Sequence, residues 1–119
     1  MASGAKVLIV DDQEGIRQLL SETCTMMGYE ALTASSGYEA VRLITEHNCE
    51  TAFIDLRMSG INGLTTIKQI CRVCPPVRCF LMTGDRAKDI IAEAIRCGAN
   101  GVLFKPFDIS EVIELLEKI

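Results

Sequence analysis

Four apolar runs in this chain end in residues able to do chemistry. Val7-Leu8-Ile9-Val10 runs into Asp11-Asp12, Thr51-Ala52-Phe53-Ile54 into Asp55, Cys79-Phe80-Leu81-Met82 into Thr83-Gly84, and Gly101-Val102-Leu103-Phe104 into Lys105-Pro106. If the runs are neighbouring parallel strands, their carboxyl ends share one sheet edge, and acids, a hydroxyl and an amine meet in one crevice. Three carboxylates that close repel one another by on the order of a few kcal/mol per pair, so a hard divalent cation is implied. Mg2+ fits, because it accepts one or two carboxylates, keeps waters and leaves room for phosphoryl oxygens. Lys105 offers an ammonium to a phosphoryl group, Thr83 a hydroxyl, and Gly84 a backbone N–H open to close approach. Asp55, the central acid, is then the candidate nucleophile for an aspartyl-phosphate.

The elements that must position these residues can be read from periodicity. The four runs are nearly unbroken in apolar character, as expected of strands covered on both faces, and Glu30 to Ser35 is a weaker edge-strand candidate. Helical spacing appears at Ile16, Leu19, Leu20, Thr23 and Met27, and again at Ile109, Val112, Ile113, Leu116 and Ile119. Met26-Met27 reads as helix packing. Gly28 stops the first helix, Ser36 to Glu39 has capping-box spacing for the second, and Asp108 with Glu111 repeats it for the last. The third helix is expected from near Asn62 to before Pro75-Pro76, and the fourth from about Arg86 to Cys97, stopping at Gly98. Strict alternation of five strands and five helices predicts an α/β fold: a doubly wound, five-stranded parallel sheet in the flavodoxin-like order 2-1-3-4-5, with helices on both faces.

Whole-chain properties narrow the function. At 119 residues the chain fits one domain, with residues 1–5 expected to be a flexible N-terminal segment, and 49% apolar with 24% charged residues suits a globular core. A net charge of -4 without basic clusters argues against direct nucleic-acid binding. The first apolar stretch is too short for a signal peptide or a membrane span, which places the protein in the cytoplasm, away from membranes. The six cysteines then read as reduced thiols. Cys71 and Cys74 have the two-residue spacing of zinc or redox sites, but no second pair exists and His47 stands alone.

Taken together, Asp11-Asp12, Asp55 followed by Met58-Ser59-Gly60-Ile61-Asn62-Gly63, Thr83-Gly84 and Lys105-Pro106-Phe107 resemble a two-component response-regulator receiver domain over nearly the whole chain. The resemblance implies that Asp55 accepts a phosphoryl group from the phosphohistidine of a sensor histidine kinase or phosphotransfer protein. It implies that Asp12 and Asp55 bind Mg2+ directly with the Arg57 backbone carbonyl, while Asp11 acts mainly through water. It further implies a cis Lys105-Pro106 peptide and self-catalysed phosphorylation and hydrolysis, with no other enzyme activity. The output would be a conformational change passed to an output domain or partner through the fourth helix, fifth strand and fifth helix, and homodimerisation on phosphorylation is left open.

Each residue alone has a plainer reading: Asp11-Asp12 as helix cap, Asp55 as turn former, Thr83-Gly84 as loop, Lys105-Pro106 as an exposed charge before a rigid turn. Their coincidence favours the site. Two departures from the resemblance stand out. Val102 occupies a position usually held by a mobile Tyr or Phe, so a displacement of Thr83 is expected to be read through the loop Gly84 to Lys88 and the fourth helix. Ser59 replaces a common proline, loosening the loop after Asp55. Arg57 and Asp85 each lie two residues beyond a phosphoryl-contacting residue, and an ion pair between them would cover the crevice mouth. Two other functions fit the residues less well. A flavodoxin-type electron carrier needs a first loop that cradles phosphate, where this chain has two aspartates. A Mg2+-dependent aspartyl phosphatase usually has a second acid where this chain has Arg57.

Overall fold

The computed structural model describes residues 5–74, 76–87 and 89–118. Residues 1–4 of the expected flexible segment, together with Pro75, Lys88 and Ile119, lie outside the described residues. Ala5 already joins the sheet edge, its carbonyl accepting from Glu30 N at 2.9 Å.

Among the described residues the elements run β1 (Lys6–Val10), α1 (Glu14–Met26), β2 (Glu30–Ala34), α2 (Gly37–Glu46), β3 (Cys49–Asp55), α3 (Gly63–Val73), β4 (Arg78–Thr83), α4 (Ile90–Arg96), β5 (Gly101–Phe104) and α5 (Ile109–Glu117). The strands form one parallel sheet in the order β2-β1-β3-β4-β5, as the alternation predicts. Because side chains alternate across a strand, each apolar run feeds two cores. Leu8, Val10, Ile54 and Leu81 pack with Ile44, Ile67, Ile70 and Ile90 under α2, α3 and α4. Val7, Ile9, Phe53 and Met82 pack with Leu20, Val112 and Leu116 under α1 and α5. Phe53 and Phe80 stack there with centroids 5.5 Å apart.

Helix ends follow local chemistry. Ser36 Oγ accepts from Glu39 N at 3.2 Å, but the Glu39 carboxylate takes Ser35 N at 2.9 Å, so the reciprocal bond of the capping box shifts by one residue. Asn62 Oδ1 accepts from Thr65 N at 3.0 Å, and Glu111 Oε2 accepts from Asp108 N at 2.9 Å. Gly28 and Gly98, at φ +91° and +111°, turn the chain out of α1 and α4.

Two expectations need correction. Met26 does not pack: it is 85% exposed, because α1 turns Leu20, Thr23 and Cys24 inward and Met26 lies half a turn beyond Cys24. The fourth helix starts at Ile90 rather than Arg86. Asp85 Oδ1 accepts from Ala87 N at 3.0 Å, holding the chain in a local turn, and the apolar stripe begins only at Ile90.

Two contacts fix the ends of the sheet. A Cβ on Gly63 would lie 2.4 Å from the Asp55 carbonyl oxygen, so α3 presses directly on the end of β3. Gly63→Ala should therefore destabilise the fold by about 2 kcal/mol, the scale of overpacking against a backbone that cannot yield, with denaturant titration as the check. At the opposite edge, Arg78 donates to the carbonyls of Leu115 and Lys118 and to Thr51 Oγ1, the first at 3.2 Å and the last at 2.8 Å. Tyr29 Oη donates to the Leu116 carbonyl at 3.0 Å, so the last turn of α5 is anchored to the sheet.

Candidate active site

The strand ends converge as their order requires. Asp55 follows Ile54, which pairs with Val10 on one side and Leu81 on the other, and Thr83 pairs with Phe104 just before Lys105. One oxygen each from Asp11, Asp12 and Asp55 lie within 4.8 Å of one another. Asp11 is fully buried and Asp55 nearly so, while Asp12 faces solvent. Lys105 Nζ donates to Asp11 Oδ2 at 2.8 Å and stands 2.9 Å from Asp55 Oδ1, so one amine bridges two acids. The Lys105-Pro106 peptide is cis.

Asp11 divides its oxygens. Oδ1 accepts from Gln13 N at 2.9 Å, the plain turn role of such a residue, and Oδ2 serves Lys105. Arg17, which its spacing did not mark as part of a site, donates from Nη1 to the Asp11 carbonyl at 2.8 Å and steadies that strand end. Thr83 Oγ1 accepts from Asp85 N at 2.9 Å.

Above these groups opens a cavity of about 820 Å³, lined by Asp12, Asp55, Thr83, Gly84 and Lys105 and rimmed by Arg57, Asp85 and Arg86. Arg57 Nη2 is 3.7 Å from Asp85 Oδ2 across the mouth. Arg86 escaped the sequence reading, since nothing in its spacing shows that its guanidinium lies over the Phe104 ring, 4.6 Å from the centroid. Val102 is absent from the cavity wall and packs, half-buried, on the α4 side of the sheet.

Burial, reinforced by the negative charge of Asp11 and Asp12, holds the Asp55 carboxyl above its ordinary range in spite of the Lys105 contact. Burial works against the Lys105 ammonium too, but its bonds to Asp11 and Asp55 outweigh that and raise its pKa. A carboxyl whose folded pKa exceeds its unfolded value favours the fold below the unfolded pKa and ceases to as pH rises through the folded one. Without metal, wild type should therefore lose stability relative to Asp55→Asn as pH rises from about 4, the unfolded carboxyl value. Paired thermal melts across that range check this, and a pH-independent difference would count against it.

The donor set is three carboxylates, two buried and one facing solvent, oxygen only, which suits a hard divalent cation and leaves positions for water and ligand oxygens. The thiols sit elsewhere. Cys24, Cys49 and Cys79 are buried in the core, and burial pushes the first two up to about 11. Cys71 and Cys74 donate to the carbonyls of Gly98 and Ile44 at 3.6 and 3.5 Å. Among the described residues no helix is long and apolar enough to cross a membrane.

Comparison with known proteins agrees with this geometry. The family model for the response regulator receiver domain matches residues 7–117. Chemotaxis protein CheY of Thermotoga maritima is 35% identical over 117 residues, covering 98% of both chains. Sporulation initiation phosphotransferase F of Bacillus subtilis is 34% identical over 113 residues, 95% of this chain and 91% of its own length. The CheX-CheY-BeF3-Mg+2 complex from Borrelia burgdorferi contains a chain that superimposes with a TM-score of 0.89 at 25% identity, covering 94% of this chain and 86% of that one. With the fold, the acid cluster and the bridging lysine in place, the chain belongs to the response regulator receiver domains, the phosphorylation-dependent signalling switches of two-component systems.

Proposed function

We propose that Asp55 is the phosphoryl acceptor and that the whole chain works as one cytoplasmic domain. The observation that carries this reading is Lys105 Nζ, 2.9 Å from Asp55 Oδ1 at the floor of a cavity that Gly84 and Thr83 also line. An Asp55 oxygen attacks the phosphorus of a phosphohistidine on a sensor kinase or phosphotransfer protein. The new P–O bond forms as the P–N bond to the donor imidazole breaks. Asp12, Asp55 and the Arg57 carbonyl would hold Mg2+ directly and Asp11 through water; the bound ion supplies positive charge to the phosphoryl oxygens. Lys105 exchanges its contact with the Asp55 carboxylate for one with a phosphoryl oxygen, the Thr83 hydroxyl donates to a second, and the Gly84 N–H approaches a third. The same groups let the domain phosphorylate itself from small acyl phosphates and later direct water onto the aspartyl-phosphate.

Intact-mass measurement after incubation with acetyl phosphate tests this. One phosphoryl adduct is expected with Mg2+ and none with a chelator; an adduct independent of metal would sink the reading.

Output passes through α4, β5 and α5 to an output domain or partner, or to a second copy of the chain. Ile91 and Ile95, one helical turn apart on α4, are 45% and 54% exposed and supply apolar area on that flank. The Arg57 and Asp85 side chains are 80% and 36% exposed, so their pair adds little to stability. Its effect is on water access. Arg57→Ala should leave the melting temperature unchanged and hasten loss of the phosphoryl group by up to roughly fivefold, the rate equivalent of a weak exposed pair. An unaltered dephosphorylation rate would dismiss the lid.

A further inference from the structure

Three cations face the cavity, and one of them has no carboxylate partner among the described residues. Lys105 is held by Asp11 and Asp55, and Arg57 by Asp85. Arg86 instead rests on a ring, its Cζ 4.6 Å from the centroid of Phe104. Phe104 is the residue directly before Lys105, half-buried on the side of β5 that packs with Ile90 and Ala94 of α4. Arg86 thus links the loop after Thr83 to the strand that delivers Lys105.

That link is poised to break. An exposed guanidinium on an aromatic face is weakly held. A phosphoryl group carries close to two negative charges and three strong acceptors, and the fork of an arginine matches it. The loop is also tied to the site by the Thr83 hydroxyl, which accepts from Asp85 N at 2.9 Å. Turning that oxygen toward a phosphoryl group gives up this bond, and the segment carrying Arg86 is released in the same event.

The geometry points to Arg86 as a further phosphoryl-binding residue, which leaves the Phe104 ring for the phosphoryl oxygens on Asp55 and thereby uncovers Phe104 beside α4. This rests on Asp55 being the acceptor. The departure adds an aromatic surface to a flank where Ile91 and Ile95 are already exposed. The charge at Asp55 is so converted into an apolar signal without any aromatic at position 102.

Beryllofluoride, a phosphoryl mimic whose bound form is observed by fluorine NMR, tests the assignment when titrated with Mg2+ into wild type, Arg86→Ala, Arg86→Lys and Phe104→Leu. Arg86→Ala should weaken binding about tenfold and move the bound fluorine resonances, with Arg86→Lys between it and wild type. Phe104→Leu removes the resting station and should tighten binding by roughly twofold to fivefold. Wild-type affinity in Arg86→Ala would overturn the assignment while leaving Asp55 as acceptor. Equal weakening in Phe104→Leu and Arg86→Ala would overturn it as well, because the pair would then be acting only as structure. Failure of wild type to bind beryllofluoride would overturn the Asp55 reading and this one with it.

Discussion

Asp55→Asn should take up no phosphoryl group from acetyl phosphate and Mg2+, a loss of at least about a hundredfold, since the reacting nucleophile itself is gone. The other two acids cannot replace it. Asp11 is fully buried, with one oxygen on Gln13 N and the other on Lys105 Nζ. Asp12 is exposed and, among the described residues, has no lysine against it. Among the described residues only Asp55 combines a place in the cavity wall with an amine 2.9 Å from its oxygen. The variant should fold normally, because an amide oxygen can still accept from Lys105 and one like charge has left the cluster. Intact mass is the measurement, and an adduct on the variant comparable to wild type would move the acceptor elsewhere.

Lys105→Met should have the largest effect on stability. In metal-free buffer at neutral pH it leaves two buried carboxylates uncompensated, their side chains 0% and 9% exposed, where the lysine itself is 20% exposed. Removing one partner of such a buried set costs about 3 kcal/mol or more. For a chain of this length that lowers the melting temperature by roughly 12 °C. Saturating Mg2+ should restore most of the loss, because the ion supplies the missing charge. The wild-type pH profile gives an independent check. The Lys105 pKa is raised in the fold, so its stabilisation is complete below the ordinary lysine range and disappears as pH rises through the folded value, at the alkaline end. A Lys105→Met protein that melts with wild type in chelator would show that the cluster does not need the amine.

Much of the site could be read from the chain because parallel strands covered on both faces leave continuous apolar runs, and whatever ends such a run stands at one edge of the sheet. Asp11, Asp55, Thr83 and Lys105 were found in that way, each at the close of a run. What escaped depends on side-chain contacts that follow neither strand nor helix spacing. Arg17 reaches the Asp11 carbonyl, and Arg86 reaches Phe104, across spacings that no periodicity marks. The start of α4 lies later than composition suggests because Arg86 to Asp89 lacks a residue that breaks a helix. The side-chain bond from Asp85 to Ala87 N holds the chain out of the helix there, and such competition between side chain and backbone leaves little trace in composition. Met26 departs from its expected place for a simpler reason: an apolar residue at a helix end need not lie on the inward stripe, and here two neighbouring methionines do not share a face.

Arg78 gives β4 a second character. Thr83 stands at one end of this strand and Arg78 at the other, where the guanidinium grips the final turn of α5 and Thr51 of β3. Between those ends the strand is bonded to β3 and β5 on either side. In mechanical terms β4 is a beam clamped at its base, and the base of α5 is bolted to the same abutment. Under the proposed mechanism a rotation of the Thr83 side chain should leave the strand in place and be felt in the free upper structure, the loop 84–87 and the flank of α4. The lower rim acts as a datum, and a partner that grips both the anchored end of α5 and the upper flank would measure the switch as a change of angle between a fixed and a moving part.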